Sequence, residues 1–265
     1  MAELPYVSFD RVADLYEATR HIPAAHLTQA ARLLAGEAGL GRAAPLLDAG
    51  VGTGRFARHV AAIGVPVVGI DVSRGMLCEA RQRAPGLALL RGDLRRLPLR
   101  SGAFAAALMV HVLHLVADWQ AVVAEVRRAL APGAPLFLAT EGGQRLPMTD
   151  LYLDTAGALG LGRTRVGARS VDAILEHLAG AGATMARIDQ GAITWTVTAT
   201  RAEQLHYLRR NPYSHLFHVE PDAHAGLIAE VERRAAALPG GLGGVEEARS
   251  DLAVWRIAWE QGAPA

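Results

Sequence analysis

The sequence contains no lysine, and arginine supplies all 27 of its basic residues. A Walker-type phosphate loop requires its lysine and Schiff-base chemistry requires a side-chain amine, so both kinds of site are excluded. The arginines are balanced by 26 acidic residues, and a net charge of +1 creates no strong field for nucleic acid or an anionic membrane. We therefore expect neither of these among the partners of the protein.

Cysteine and long apolar runs are also scarce. The single cysteine, Cys78, excludes a disulfide within the chain and fits a reducing cytoplasm. It lies in a helical pattern, which predicts a packed thiol rather than a nucleophile. The N-terminal stretch carries charges throughout, unlike a signal peptide, and no apolar run approaches the ~20 residues that span a bilayer. We expect a cytoplasmic protein.

Strand and helix patterns alternate between Pro45 and Thr140. Short apolar runs predict five strands, at Pro45–Ala49, Pro66–Ile70, Leu87–Leu90, Ala103–Val110 and Ala134–Thr140. Helical patterns lie between them, at Gly54–Ile63, Ser73–Arg83 and Asp118–Leu130, with Ser73 and Asp118 as N-caps. This alternation is typical of a parallel sheet with helices on both faces.

A glycine-rich turn lies between the first predicted strand and the helix that follows it, in the stretch LLDAGVGTGRF at 46–56. Gly50 and Gly52 allow the backbone to turn tightly and to approach a ligand, and the following helix N-terminus offers free N–H groups. The spacing is G-x-G-x-G rather than the G-x-G-x-x-G of dinucleotide-binding proteins. Arg55 stands where close helix packing requires a glycine, which argues against a nicotinamide cofactor.

Acidic residues follow the second and third predicted strands. Asp71 is placed to accept hydrogen bonds from the hydroxyls of a ribose, and Asp93 with Leu94 is placed to contact an adenine edge. Open α/β sheets bind ligands at the carboxyl ends of their strands, where both residues fall. Simpler roles remain open, because Asp48 and Asp93 could each cap a loop or a turn.

These motifs together resemble class I S-adenosylmethionine (SAM)-dependent methyltransferases. The resemblance covers roughly residues 9–140 and is greatest to the small-molecule group (type 11) that includes the quinone-biosynthesis methyltransferases. It implies SAM as cofactor, released as S-adenosylhomocysteine. The cofactor site that it implies consists of Tyr16, Arg20, Asp48, Ala49, Gly50, Gly52, Asp71, Val72, Met76, Asp93, Leu94, Val110 and His111.

The expected fold is α/β, a Rossmann-like doubly wound sheet of seven mostly parallel strands with an antiparallel final strand and a helical cap. A sixth strand is expected near 184–189, the alternation at 193–198 either continues it or forms a separate strand, and Leu252–Trp259 closes the sheet. No linker is apparent, so we expect one domain over residues 1–265. Its core is expected at about 40–140, 170–200 and 250–260, and its cap at about 1–38, 142–168 and 200–240.

His111 and His114 are the candidate catalytic bases, since an imidazole near neutral pKa can remove a proton from a hydroxyl or amine. His114 could instead pack against Trp119 or cap the next helix. An aromatic and histidine cluster after the sheet core either lines an acceptor pocket or anchors a helix: Tyr207, Tyr213, His215, Phe217 and His218. No metal site is expected.

The expected reaction is methyl transfer from SAM to an O, N or C nucleophile of a small-molecule acceptor. Two alternatives stay open: a SAM-binding protein without transferase activity, and an NAD-dependent oxidoreductase. A homodimer is compatible with the sequence, which neither requires nor excludes it.

Overall fold

A computed structural model describes residues 6–19, 22–162, 166–188 and 193–259. The strands of this part of the chain are β1 (Leu46–Ala49), β2 (Val67–Asp71), β3 (Ala88–Arg91), β4 (Ala106–Val110), β5 (Leu136–Gly143), β6 (Ala183–Arg187), β7 (Thr194–Thr200) and β8 (Val245–Trp259). Its α-helices are α1 (Ala24–Glu37), α2 (Ala57–Ala62), α3 (Arg74–Arg83), α4 (Trp119–Ala129), α5 (Pro147–Ala158), α6 (Val171–Gly180), α7 (Arg201–Leu208) and α8 (Pro221–Ala236).

The strands form one mixed sheet in the order β3-β2-β1-β4-β5-β8, with β6 and β7 both beside β8. The first five strands pair in parallel, and β8 runs antiparallel to β5. β6 lies against Trp255–Trp259 and β7 against Val245–Asp251, so the two strands share one edge of β8. The doubly wound fold with an antiparallel final strand is confirmed. The described residues form eight strands rather than the seven expected, because the alternating stretch at 193–198 forms a separate strand, β7.

The central strands are apolar on both faces because helices cover both sides of the sheet. Successive side chains alternate between the faces. Leu46 and Leu108 pack toward α1 and α2 in one buried cluster, whereas Leu47 and Met109 pack toward α4 and α6 in another. The carboxyl ends of β1, β2 and β4 are thereby held at one edge of a rigid core.

Two predicted helix N-caps are present in the structure, whereas the N-terminal segment and Cys78 differ from what was predicted. The hydroxyl of Ser73 accepts a hydrogen bond from the Met76 N–H, and the carboxylate of Asp118 accepts one from the Ala121 N–H, so both predicted caps are confirmed. The N-terminal helical pattern forms a kinked 3-10 helix at Asp10–Leu15 instead of an α-helix. Cys78 is exposed on α3, so the prediction of a packed thiol was wrong.

A third buried cluster joins α5, α7 and α8. Tyr152 of α5, Leu205 of α7 and Leu227 of α8 lie at its centre and are almost completely buried. These helices form the cap that was expected after the fifth strand. Within the described ranges, no helix combines the length and the apolar character that a bilayer crossing requires.

Candidate active site

A cavity of about 770 Å³ lies at the carboxyl ends of β1, β2 and β4, where an open α/β sheet binds its ligands. This volume falls within the roughly 300–1,000 Å³ of small-molecule sites. One half, here called the strand-end half, is walled by the glycine turn, the ends of β1–β4 and the N-terminal segment 6–19. The other, the cap half, is walled by the end of β5, by β7 and by α7 with the loop that follows it.

Most of the predicted site residues line this cavity. They are Tyr16, Gly50, Gly52, Asp71, Val72, Met76, Asp93, Leu94, Val110, His111 and His114. Asp48 and Ala49 are buried in β1 beneath the glycine turn and are not among the lining residues. Arg20 lies outside the described residues. The structure thus gathers residues from 16 to 114 at one site, while the role of each stays a prediction.

The cluster that follows the sheet core divides between two places. Tyr207, Tyr213 and His215 line the cap half of the cavity. The ring of Phe217 packs edge-on against Phe9, with 5.2 Å between the centroids, and neither Phe217 nor His218 lines the cavity. Part of the cluster thus lines the cavity and part packs elsewhere, while the role of each residue stays a prediction.

The glycine turn brings the backbone close to a neighbouring loop. Gly50 has a φ of +89°, a left-handed conformation that favours glycine, and a Cβ there would lie 2.2 Å from Cγ2 of Val112. Gly50 therefore cannot carry a side chain without moving Val112, which lines the cavity.

Asp71 joins the glycine turn to the start of α3. Its Oδ2 accepts a hydrogen bond from the Gly52 N–H at 2.9 Å, and its Oδ1 accepts one from the Ser73 N–H at 2.8 Å. Burial raises the pKa of Asp71, and these two N–H donors act in the opposite direction because they favour the carboxylate. The carboxyl group is held rigidly at the wall of the cavity.

The N-terminal segment is anchored across this site by two carboxylates whose contacts sequence reasoning missed. Asp10 Oδ1 accepts from the Ser73 hydroxyl at 2.8 Å and from the Gly75 N–H at 2.6 Å. Glu17 accepts from the Thr53 hydroxyl at 2.8 Å and forms two hydrogen bonds with Arg58. The family resemblance begins near residue 9, but it does not show these partners.

Asp93 is engaged by its own loop. Its carboxylate pairs with Arg95 (2.6 Å between Oδ2 and Nη2) and accepts from the Arg95 N–H at 2.9 Å. These bonds keep the pKa of Asp93 below its usual value. The turn-capping role considered for Asp93 is present, and the residue also lines the cavity.

A buried ion pair lies behind His111. Arg55 is only 6% exposed and pairs with Glu141 near the end of β5. The Glu141 N–H in turn donates to Nε2 of His111 at 2.9 Å, so a neutral His111 ring carries its proton on Nδ1. His111 has a φ of +53°, which is strained for a residue other than glycine. The sequence marked Arg55 only as a departure from the dinucleotide motif.

His114 and its neighbours lie beside the cavity, and the role of His114 stays a prediction. Trp119 packs edge-on against His177, 4.9 Å between centroids, and Asp118 caps α4. The His114 ring lies edge-on to that of His111, with 6.3 Å between the centroids, and His114 lines the cavity. The described residues contain no group of three or more acidic, histidine or cysteine side chains arranged to hold a metal ion.

Comparison with known proteins identifies the central part of the chain. Residues 47–138 match the family described as a methyltransferase domain. This region is similar to class I, SAM-dependent methyltransferases. It contains the glycine turn, Asp71, Asp93 and both candidate histidines. The cofactor of the family is therefore SAM, as the resemblance implied.

Curated relatives that match part of the chain are named as methyltransferases. The chain is 38% identical over 94 residues to a demethylmenaquinone methyltransferase from Beutenbergia cavernae, covering 36% of this chain and 39% of that one. It is 35% identical over 136 residues to a malonyl-[acyl-carrier protein] O-methyltransferase from Serratia marcescens, covering 50% and 51%. The matches span about half or less of these relatives.

The fold is similar to that of the YcgJ protein from Bacillus subtilis, with a TM-score of 0.59 and 15% identity. That match covers 88% of this chain and 98% of the other, so the likeness of fold extends well beyond residues 47–138.

Asp48 should make the stability of this domain depend on pH. Burial, and then the charge of Asp71, raises the pKa of Asp48 to about 7, above its usual value of 3.8. The folded state binds a proton that the unfolded state has lost, so this group reduces stability as pH rises from about 4 to about 7. An asparagine at position 48 cannot ionise. We therefore expect the Asp48→Asn variant to become more stable relative to the wild type as pH rises from about 4 to about 7, measured as the difference between their free energies of unfolding.

Urea unfolding of both proteins from pH 4 to pH 8 measures that difference. A constant difference between the two free energies would show that Asp48 is ionised throughout. Asp93→Asn is the matched control. The pKa of Asp93 is lowered, so its removal should alter the pH dependence below pH 4 rather than above it.

Proposed function

We propose that the protein transfers the methyl group of SAM to an O, N or C nucleophile of a small-molecule acceptor held in the cap half of the cavity. The observation that carries this proposal is the placement of the glycine turn, Asp71 and His111 in the walls of one cavity that continues under the cap. We also propose that sheet and cap belong to a single domain, because both contribute walls to that cavity.

The strand-end half fits SAM chemically. Its rigid Asp71 carboxylate suits the two hydroxyls of a ribose, Met76 offers an apolar surface, and the glycine turn allows close approach to the backbone. When bound, SAM supplies a sulfonium-activated methyl group that passes to the nucleophile and leaves S-adenosylhomocysteine. The chain's own contribution is to position the two reactants and to exclude water.

A small-molecule acceptor fits the cap half, which is enclosed by Tyr207, Tyr213 and Leu208. The relatives act on demethylmenaquinone and on malonyl-[acyl-carrier protein] according to their names, and these differ in chemistry. We therefore propose a small molecule or a small group on a carrier, without transferring either substrate to this protein.

Calorimetric titration with S-adenosylhomocysteine and, separately, with NAD tests the cofactor. We expect binding of S-adenosylhomocysteine and none of NAD, and the reverse result would establish the oxidoreductase alternative. Incubation with methyl-labelled SAM and a panel of hydroxyl, amine and carbon acceptors then tests transfer. Tight cofactor binding with no labelled product from any acceptor would favour a SAM-binding protein without transferase activity.

His114 and His111 should behave differently in this reaction. Nε2 of His111 already accepts a hydrogen bond from the Glu141 N–H, so proton removal by that nitrogen would require the bond to break. We propose His114 as the base. His114→Asn should lower turnover about 100-fold, at the low end of general-base effects, with S-adenosylhomocysteine affinity unchanged.

His111→Asn serves as the comparison and should lower turnover and cofactor affinity by similar factors. Both quantities are measured, affinity by calorimetry and turnover by the transfer of labelled methyl. If His111→Asn lost turnover but kept its cofactor affinity, and His114→Asn stayed close to wild type, His111 rather than His114 would be the base.

A further inference from the structure

Gln204 of α7 is a polar residue in the wall of the cap half of the cavity, and it is only 7% exposed. Its amide nitrogen donates a hydrogen bond to Glu246 at 2.9 Å, while its amide oxygen is buried and has no hydrogen-bond partner among the described residues. A buried acceptor without a partner is costly, and each such group in a folded protein calls for a physical explanation.

The orientation of this amide is fixed by its neighbour. Glu246 is buried and accepts hydrogen bonds from Nε of Arg201 at 2.9 Å and from the Met148 N–H at 2.8 Å, in addition to Gln204. Both oxygens of this carboxyl group are thus engaged as acceptors, Oε1 by Arg201 and Oε2 by the Met148 N–H and Gln204. The nitrogen of the Gln204 amide must therefore face Glu246, which leaves the oxygen as the unsatisfied end.

The surrounding wall determines what can reach that oxygen. Leu208 and Pro212 are apolar, and Trp195 and Tyr207 present aromatic surface. Two charged side chains also line the cap half, and both are paired: Arg145 with Asp150 at 2.6 Å and Glu141 with Arg55. The cap half thus combines apolar and aromatic surface with two buried polar groups that have no hydrogen-bond partner among the described residues, the Gln204 amide oxygen and the Trp195 indole N–H.

We propose that Gln204 determines acceptor specificity by accepting a hydrogen bond from an O–H or N–H group of an uncharged aromatic acceptor. This inference rests on the proposed function, since it assigns the substrate class to the cap half of the same cavity. Sites built to bond a hydroxyl discriminate against analogues without one, because the polar group of the protein is then left unpaired.

Binding of paired aromatic probes tests the inference. The probes are 1-naphthol, 2-naphthol and 4-hydroxybiphenyl, each compared with its methyl ether, in the presence of saturating S-adenosylhomocysteine so that no turnover occurs. We expect at least one phenol to bind the wild type about tenfold more tightly than its ether, a factor typical of one hydrogen bond to a buried group. This preference should disappear in Gln204→Leu.

Two further variants separate recognition from a structural effect. Glu246→Gln removes the charge that fixes the amide, so the Gln204 amide can turn over and the preference should fall while the ethers bind as before. Gln29→Leu makes the same chemical change on the exposed face of α1 and should leave the preference intact.

The outcomes distinguish the two proposals. If S-adenosylhomocysteine does not bind the wild type, the proposed function fails. If it binds, but no phenol is preferred over its ether or the preference survives in Gln204→Leu, the inference about Gln204 is overturned and the proposed function stands.

Discussion

Replacement of Asp71 by alanine should weaken binding of S-adenosylhomocysteine by about 1–3 kcal/mol, roughly 5- to 150-fold, because hydrogen bonds to a charged acceptor are lost. The same change should lower the free energy of unfolding by about 1–3 kcal/mol, since the N–H groups of Gly52 and Ser73 lose their acceptor in a buried place. Calorimetric titration and urea unfolding measure the two effects.

The two effects can be separated with a second variant. Asp71→Asn keeps one acceptor oxygen, so it should retain part of the stability while losing the charge that suits a ribose. Asp154→Ala is the matched control, because Asp154 is exposed on α5 and is not among the residues that line the cavity. An unchanged affinity in Asp71→Ala would remove Asp71 from the cofactor site.

Local sequence patterns predicted the part of the fold that is formed by neighbours in the chain. Each short apolar run between Pro45 and Thr140 is a strand, and Ser73 and Asp118 cap their helices, because these features depend on a few adjacent residues. Asp71 was recognisable for the same reason, since it directly follows a buried strand that ends at the ligand-binding edge of the sheet.

The connections that tie the site together were not predictable in this way. Asp10 reaches Gly75 across 65 positions, and Arg55 reaches Glu141 across 86. Gln204 bonds to Glu246 across 42 positions. Periodicity and spacing carry no information about which distant side chains will meet, so these residues looked like ordinary surface or cap residues until the fold brought their partners together.

The largest loss of stability is expected for Arg55→Met. Arg55 and Glu141 form a largely buried ion pair, and removal of one partner takes away the charge that faces the other, which costs about 3–5 kcal/mol in comparable pairs. Glu141→Met should be similarly destabilised. Urea unfolding of each variant measures the change.

The double variant tests whether the loss of stability comes from an unpaired charge or from lost packing. Replacement of both residues by methionine leaves no stranded charge, so it should be more stable than either single variant. A double variant that loses as much as the two single variants together would show that the pair does not interact.

The ion pair should also affect the site through His111. The strained backbone of His111 persists only where its surroundings hold it, and the Glu141 N–H is one of its bonds. The Arg55→Met variant keeps the Glu141 N–H but loses the ion pair between Arg55 and the Glu141 side chain. That ion pair holds the end of β5 in position. Turnover should therefore fall even in conditions where the variant is fully folded, whereas a purely structural role for Arg55 would leave the folded fraction fully active.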